Sequence, residues 1–141
     1  MKKLLSIITV SLIFSAITGY ADDKFIDFSA LPQTAQQFAS ANFKDKKVAV
    51  VKQDRSFLGA ITDGYGTEIE FDSDGVWKEI SAKTSAVPNP IIPEAILNYI
   101  RDNFKSSPVI QIEKKEYGYK IELATKQELK FSKQFVFLGL D

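Results

Sequence analysis

The second half of this chain repeats the first. Residues 31–80 align with residues 92–141 with one single-residue gap. In both copies a helical pattern that opens on Pro closes on Asn-Phe-Lys, at Asn42 and at Asn103, and is followed by apolar segments of strand length. Self-similarity of this kind predicts one supersecondary unit formed twice. The chain is therefore expected to consist of one helix followed by several strands, in duplicate.

The periodicity of apolar residues places these elements. A first helix is predicted over about residues 32–43, and a second opens at Pro93. Apolar residues recur every three or four positions in both, which predicts one face packed on a sheet. Four segments of strand character follow each helix. They are 47–53, 57–62, 67–71 and 76–80 in the first copy, and 109–114, 119–123, 127–131 and 136–140 in the second.

The last hairpin turn differs between the copies. Asp72-Ser73-Asp74-Gly75 joins Asx residues to a Gly that accepts positive φ, which is typical of a type I turn followed by a bulge. The second copy has Ser-Lys-Gln-Phe at 132–135 and lacks the Gly. The acidic turn superficially resembles the start of a calcium loop, but position 83 is Lys where such a loop carries Glu. Turn chemistry is the favoured interpretation.

Residues 1–21 have the pattern of a secretory signal peptide. Two lysines precede an apolar run from Leu4 to Ile17, which is shorter than a bilayer-spanning helix. Small residues Gly19 and Ala21 lie at the two positions that signal peptidase reads. We expect cleavage after Ala21, a periplasmic location and no membrane insertion of the mature chain.

The mature chain, residues 22–141, has the ordinary size of one domain. We expect it to be built from the repeats 31–80 and 92–141, joined by a small, polar, Pro-containing linker at 81–91. With no Cys, its stability must come from packing rather than from disulfides. The full sequence has 18 basic and 18 acidic residues, and the loss of Lys2 and Lys3 with the signal peptide leaves the mature chain with a net charge of about −2, which gives no electrostatic basis for binding nucleic acid or an anionic membrane.

The residue types argue against catalysis. The chain has no His and no Cys, which removes the usual general base, the thiolate nucleophile and the two preferred transition-metal ligands. Carboxylates such as Glu68 and Glu122 alternate with apolar residues, as on a solvated sheet face. Ser132 and Lys133 lack the helical Ser-x-x-Lys spacing. We expect no enzyme and no catalytic, cofactor-binding or metal-binding residues.

Several of these motifs together resemble the PepSY-like periplasmic proteins of Bacteroidetes, whose fold is similar to that of the secreted beta-lactamase inhibitor protein. The resemblance rests on Leu31-Pro32, Ile92-Pro93, the Asn-Phe pairs that end the helices, and the strand signatures Gly64–Trp77 and Gly118–Leu123. It covers the mature chain and departs from the family pattern at the turn 132–135.

The resemblance implies an α+β fold, similar to that of the beta-lactamase inhibitor protein. One helix and a four-stranded antiparallel meander would occur twice, with the helices packed on one face of a shared sheet. It implies no established enzymatic activity.

Aromatic residues crowd the strands and provide the candidate binding residues. With helices on one side of the sheet, the other face is expected to be open, acidic and dotted with aromatic side chains. The candidates for contact with a partner are Tyr65, Trp77, Tyr117 and Phe135. For Trp77 the favoured interpretation is a position in the helix-facing core.

Two functions follow as expectations. The first is a noncatalytic module that uses the open sheet face to bind another exported protein or peptide, inhibitor-like by fold analogy alone. The alternative is a periplasmic carrier or sensor that holds a small ligand or peptide in a pocket between helix and sheet, lined by Phe38, Tyr99 and Phe104. The strand edges leave dimerisation open.

Overall fold

The computed structural model describes residues 23–43, 48–53, 56–61 and 66–141. The predicted signal peptide lies outside the described residues. The chain divides into two compact units, a first unit of residues 1–78 and a second unit of residues 79–141. The described residues of each unit contain one α-helix and antiparallel strands. The predicted α+β class is confirmed.

The first unit begins with a strand that the sequence pattern did not predict. This strand, β1 (Asp23–Ile26), precedes a short 3-10 helix at Phe28–Ala30 and the helix α1 (Gln33–Asn42). The strands β2 (Val48–Gln53), β3 (Ser56–Ile61) and β4 (Thr67–Phe71) follow. β1 pairs with β2, β2 with β3, and β3 with β4. β1 therefore extends the predicted meander by one strand.

Helix α1 begins directly after Pro32, as the sequence predicts. Proline is tolerated there because the first turn of a helix has no partner for its N–H groups. The Pro32 carbonyl accepts hydrogen bonds from the N–H groups of Ala35, 3.0 Å, and Gln36, 3.1 Å. Ala35 is buried, and the Phe38 ring lies edge-on to Phe71 of β4 at 6.1 Å. The apolar stripe thus packs on β4.

The second unit repeats the same order of elements. Its strand β5 (Trp77–Ser81) starts at the boundary between the units and is followed by a 3-10 helix at Asn89–Ile91. The helix α2 (Glu94–Asn103) precedes β6 (Val109–Lys115), β7 (Gly118–Leu123), β8 (Glu128–Ser132) and β9 (Phe137–Leu140). Each strand pairs with the next one in the chain.

A row of aliphatic side chains crosses these strands and forms the core of the second unit. Ile80 lies opposite Ile112, Ile112 opposite Ile121, and Ile121 opposite Leu129. All four are completely buried. Helix α2 covers this face, and its Tyr99 ring packs at 5.6 Å from Phe131 of β8. The opposite face of β6, β7 and β8 carries the alternate residues.

The predicted linker is tied to the sheet of the second unit. The N–H of Ala82 donates to the carbonyl of Ile110 at 2.7 Å, and the N–H of Val87 donates to that of Val109 at 2.8 Å. Ala82 and Val87 are both buried. The segment therefore runs beside the start of β6 and contributes to the core.

Candidate functional site

An aromatic cluster lies at one end of the second unit's sheet. Gly118 at the start of β7 pairs with Ser132 at the end of β8, which brings the turn before β7 next to the turn after β8. Tyr117 lies in the first turn and Phe135 in the second, and the rings of Tyr119 and Phe135 are 5.7 Å apart. We call Tyr117, Tyr119 and Phe135 the turn cluster. Tyr117 is 38% and Phe135 37% exposed.

The backbone of Phe135 is in the left-handed region, with φ of +67°. In the first copy the equivalent residue is Gly75, with φ of +86°. A residue with a Cβ pays about 1–2 kcal/mol for this conformation. The turn holds it because the Phe135 N–H donates to the Ser132 carbonyl at 2.9 Å. An aromatic side chain is therefore presented at a position that its own backbone disfavours.

The two turns share a hydrogen-bonding pattern although their sequences differ. Asp72 Oδ1 accepts bonds from the N–H groups of Asp74 at 2.9 Å and Val76 at 3.0 Å. Ser132 Oγ accepts the corresponding bonds from Gln134 at 3.2 Å and Val136 at 3.1 Å. The hydroxyl thus replaces the carboxylate. In the acidic turn, one carboxylate oxygen closes the turn, as the sequence predicts.

Charged side chains occupy the open face of the second unit, near Tyr117 of the turn cluster. Lys120 and Glu122 flank buried Ile121 on β7 and so lie opposite the core. The Lys120 Nζ is 2.7 Å from Glu128 Oε1 and 3.2 Å from Asp141 Oδ2. We call this surface, formed by Glu113, Lys120, Glu122, Glu128, Lys130 and Asp141, the charged face.

These ion pairs hold both partners in their charged forms. The hydrogen bond to Glu128 raises the pKa of Lys120 well above its ordinary value. The hydrogen bond from Lys120 lowers the pKa of the Asp141 carboxyl. Burial raises the pKa of the Tyr117 phenol, and the nearby Asp141 carboxylate adds to the increase. Tyr117 therefore lies within electrostatic reach of the charged face and joins it to the turn cluster.

The expectation of an aromatic-dotted open face is not met on β7 and β8. Tyr119 pairs with Phe131, and paired residues share a face of the sheet. Phe131 packs against Tyr99 of the helix, and Phe137 stacks on the same ring at 4.6 Å. The strand aromatics therefore lie on the helix side, while Tyr117 and Phe135 are exposed because they lie in turns.

The other predicted site residues lie elsewhere. Tyr65 is outside the described residues. Trp77 is half-buried, and its ring stacks on Phe38 of α1 at 6.2 Å. The structure therefore places Trp77 beside the helix, in the position that the sequence favoured. Glu68, expected on a solvated face, is only 4% exposed. The alternation of polar and apolar residues on β4 predicts which face of the strand carries Glu68. It does not predict how much of that face is covered.

Aromatic rings pack against one another where the sequence predicted the lining of a ligand pocket. Tyr99 packs 6.2 Å from Phe104, and Phe38 packs 6.4 Å from Phe43. A cavity of about 240 Å³ lies at the end of α2, lined among others by Leu97, Arg101 and Ser107. A wider groove of about 460 Å³ is lined in part by Phe104. Of the three predicted lining residues, Phe104 borders the second of these two cavities.

Within residues 23–43, 48–53, 56–61 and 66–141, no three His, Cys, Asp or Glu side chains converge to hold a metal ion. No helix in this part of the chain has the length and apolar character that crossing a membrane requires.

The sequence did not predict the ion pairs of Lys120 with Glu128 and Asp141. Charged residues alternate with apolar ones along β7 and β8, but the sequence does not reveal the strand register that brings these charges together.

Comparison with protein families matches residues 56–139 to the family described as "Putative beta-lactamase-inhibitor-like, PepSY-like". This chain belongs to the PepSY-like family. The resemblance inferred from the helix openings and strand signatures is therefore confirmed. No curated protein matches the chain.

Three solved structures of Bacteroides proteins are similar to this chain. One is "a putative calcium-regulated periplasmic protein" from Bacteroides thetaiotaomicron, with 36% identity, a TM-score of 0.79 and coverage of 85% of this chain and 97% of that one. Another, a periplasmic protein of Bacteroides vulgatus, has 36% identity, a TM-score of 0.77 and coverage of 86% and 98%. A second Bacteroides vulgatus protein, of unknown function, has 31% identity, a TM-score of 0.77 and coverage of 84% and 98%. All three are described as periplasmic.

Proposed function

We propose that this PepSY-like chain is a noncatalytic protein-binding module whose contact surface is the turn cluster together with the adjoining charged face. One observation carries the proposal. Tyr117 and Phe135 are both more than one-third exposed at adjacent turns, and Phe135 is held there at positive φ. A side chain that stays more than one-third exposed at a backbone conformation it disfavours is a candidate for contact with a partner.

The chemistry of this surface suits a protein partner. Tyrosine is enriched among the few residues that dominate binding energy, and aromatic rings bury large areas at low cost in conformational entropy. The charged face presents Lys120, Glu128 and Asp141 near Tyr117. Such charges orient a partner and reject wrong ones. The family description, beta-lactamase-inhibitor-like, favours an inhibitory mode of binding.

Export and duplication complete the proposal. The pattern of residues 1–21 and the periplasmic relatives support a cleaved signal peptide and a periplasmic location. Edman or mass-spectrometric analysis of the secreted protein should find Asp22 at its N-terminus.

The shared hydrogen bonds of the turns closed by Asp72 and Ser132 support an origin of the two copies by duplication.

The test is capture followed by reconstitution. The mature chain from Asp22 is immobilised and exposed to periplasmic extract, with and without calcium ions because one relative is described as calcium-regulated. Retained proteins are identified by mass spectrometry, purified and measured by calorimetry against the wild type and a Tyr117→Ala, Phe135→Ala double variant. Phe25→Ala removes another exposed aromatic side chain outside the cluster and is the matched control.

The double variant should weaken binding at least tenfold, which corresponds to about 1.4 kcal/mol. The Phe25→Ala control should bind as the wild type does. Equal binding by the wild type and a folded double variant would refute the assigned surface, and equal loss in the control would indicate nonspecific adhesion. If no protein is retained while native mass spectrometry shows a bound small molecule, the carrier function replaces this proposal.

A further inference from the structure

The groove of about 460 Å³ in the second unit lies at the end opposite the turn cluster. Its walls are the loop after α2 and the turn that joins β7 to β8, and we call it the α2 groove. The residues that line it are Asn103, Phe104, Lys105, Ser107, Thr125 and Gln127. Gly118 pairs with Ser132 at the turn-cluster end of β7 and β8, whereas Glu122 pairs with Glu128 at the groove end. The volume is within the range of about 300–1,000 Å³ that is usual for small-molecule sites.

The α2 side of the groove carries an aromatic ring that is held in place. Phe104 directly follows the last residue of α2, and its ring lies 6.2 Å from that of Tyr99 and 6.4 Å from that of Phe137. Phe104 is half-buried by these contacts and still borders the groove. A ring that is fixed before binding offers contact area at low cost in conformational entropy. Its negative π face favours C–H groups, which are slightly positive.

Both sides of the groove also carry oriented polar groups. The Thr125 hydroxyl donates to Gln127 Oε1 at 3.0 Å, which leaves the Gln127 amide N–H groups as donors. On the α2 side, Asn103 Nδ2 donates to the Tyr99 carbonyl at 3.0 Å, which leaves Asn103 Oδ1 as an acceptor. The groove thus presents both donors and acceptors. This combination matches a ligand with several hydroxyl groups, because each hydroxyl both donates and accepts.

Lys105 gives the groove a positive charge. It is exposed, and it is the one charged residue among the six that line the groove. Within the described part of the chain, the ion pairs of the second unit involve other cations, among them Lys120 and Lys130 of the charged face, and none involves Lys105. An ammonium group that the protein does not neutralise is suited to a carboxylate on a ligand.

We propose that the α2 groove binds a small acidic sugar, a pyranose ring that carries one carboxylate. The carboxylate pairs with Lys105, sugar hydroxyls bond to Asn103 and Gln127, and C–H groups of the ring contact Phe104. An apolar ligand would leave the amide groups of both walls without partners, and a simple carboxylate would use Lys105 alone. The inference does not rest on the proposed partner surface, because the turn cluster lies at the other end of the hairpin.

NMR titration of the ¹⁵N-labelled mature chain tests the inference, with D-glucuronate as the probe and D-glucose as its uncharged analogue. Glucuronate should bind with a dissociation constant of about 1 mM or below. It should shift the amide signals of Phe104, Lys105 and Gln127 and leave those of the turn cluster unchanged. Glucose should bind at least tenfold more weakly, because it provides no carboxylate for Lys105.

Variants separate the contribution of charge from that of hydrogen bonding. Lys105→Gln removes the charge at an exposed side chain and should weaken glucuronate binding at least tenfold, to the affinity of glucose, without changing glucose binding. Lys133→Gln is the matched control, because it removes the charge of another exposed lysine at the opposite end of the unit, and it should bind as the wild type does. Gln127→Ala should weaken the binding of both sugars.

No binding of glucuronate up to about 10 mM, tenfold above the expected dissociation constant, would overturn the proposal. So would equal binding by Lys105→Gln and the wild type, or signal changes confined to the turn cluster. Acetate and diglycine supply a carboxylate without the sugar ring. Binding of either one as tightly as glucuronate would show a general carboxylate site and refute the assignment to a sugar. The titration needs no protein partner, so its outcome is independent of the capture experiment.

Discussion

Gly118 is expected to be among the least replaceable residues of the chain. It begins β7 with φ of +147°, and a Cβ added there would lie 2.1 Å from the Phe131 carbonyl oxygen and 2.4 Å from the Ser132 carbonyl carbon. Both contacts are to the backbone of β8, which pairs with β7 in register. Gly118→Ala can therefore be accommodated only if the two strands separate locally.

The cost has two parts. An L side chain in this region of backbone conformation costs about 1–3 kcal/mol, offset by about 0.4–1 kcal/mol from the stiffer unfolded chain. Separating the strands loses at least one ladder hydrogen bond, worth about 1 kcal/mol, and loosens the packing of buried Phe131. We expect a total of about 3–5 kcal/mol, which is a large part of the stability of an ordinary domain.

Gly139→Ala is the matched control. Gly139 has φ of +137°, close to that of Gly118, but no atom lies within 4 Å of an added Cβ. It should show the conformational cost alone, about 1–2 kcal/mol. Urea unfolding, followed by circular dichroism at a concentration where all variants have one oligomeric state, gives both values. Equal destabilisation of the two variants would refute the argument that the contact with β8 dominates.

Three further changes test other features of the second unit. Phe135→Gly should be more stable than Phe135→Ala by about 1 kcal/mol in urea unfolding, because only glycine relieves the left-handed strain; equal midpoints would exclude strain. Carbon-13 NMR titration should find the pKa of Asp141 below its usual value, and Lys120→Met should raise it. The lowered pKa means that this pairing stabilises the fold above the ordinary carboxyl pKa and is lost as the pH falls through the folded value; an unchanged pKa in Lys120→Met would contradict the assigned cause. Ser107→Ala should leave stability unchanged or slightly raised, since the Ser107 hydroxyl is buried without a hydrogen-bond partner among the described groups; a loss above about 1 kcal/mol would show that it has one.

The periodicity of apolar residues predicted the helices and strands well, because an element with one buried face needs apolar residues at regular intervals. The first helix was expected over 32–43 and spans Gln33–Asn42, and Ile112, Ile121 and Leu129 alternate with charged residues as strands with one buried face require. β1 was missed because Asp23–Ile26 is four residues long and lies directly after the predicted cleavage site. So short a segment has no measurable period, and its strand conformation comes from pairing with β2.

The candidate site was predictable only where it depends on local sequence. Tyr117 and Phe135 lie beside turn signals, which favoured their exposure. The pairing of Lys120 with Asp141 joins residues far apart in the chain and depends on strand register and on a bulge between β8 and β9. The sequence did not predict the left-handed backbone conformation of Phe135, for a different reason. Ser132 supplies the turn bonds that Asp72 supplies in the first copy, and a Ser-Lys-Gln-Phe sequence gives no sign of this.

The order of the strands has a consequence for how the chain acquires its structure. In each unit every described strand pairs with its immediate neighbours along the chain. The pairings β2–β3, β3–β4, β6–β7, β7–β8 and β8–β9 close short loops, so they cost little chain entropy and form rapidly, whereas β1–β2 and β5–β6 are joined across a helix. With no cysteine in the sequence, no oxidation step has to follow. Each hairpin can therefore form as soon as its own residues leave the ribosome or a translocation channel, without waiting for any later part of the chain.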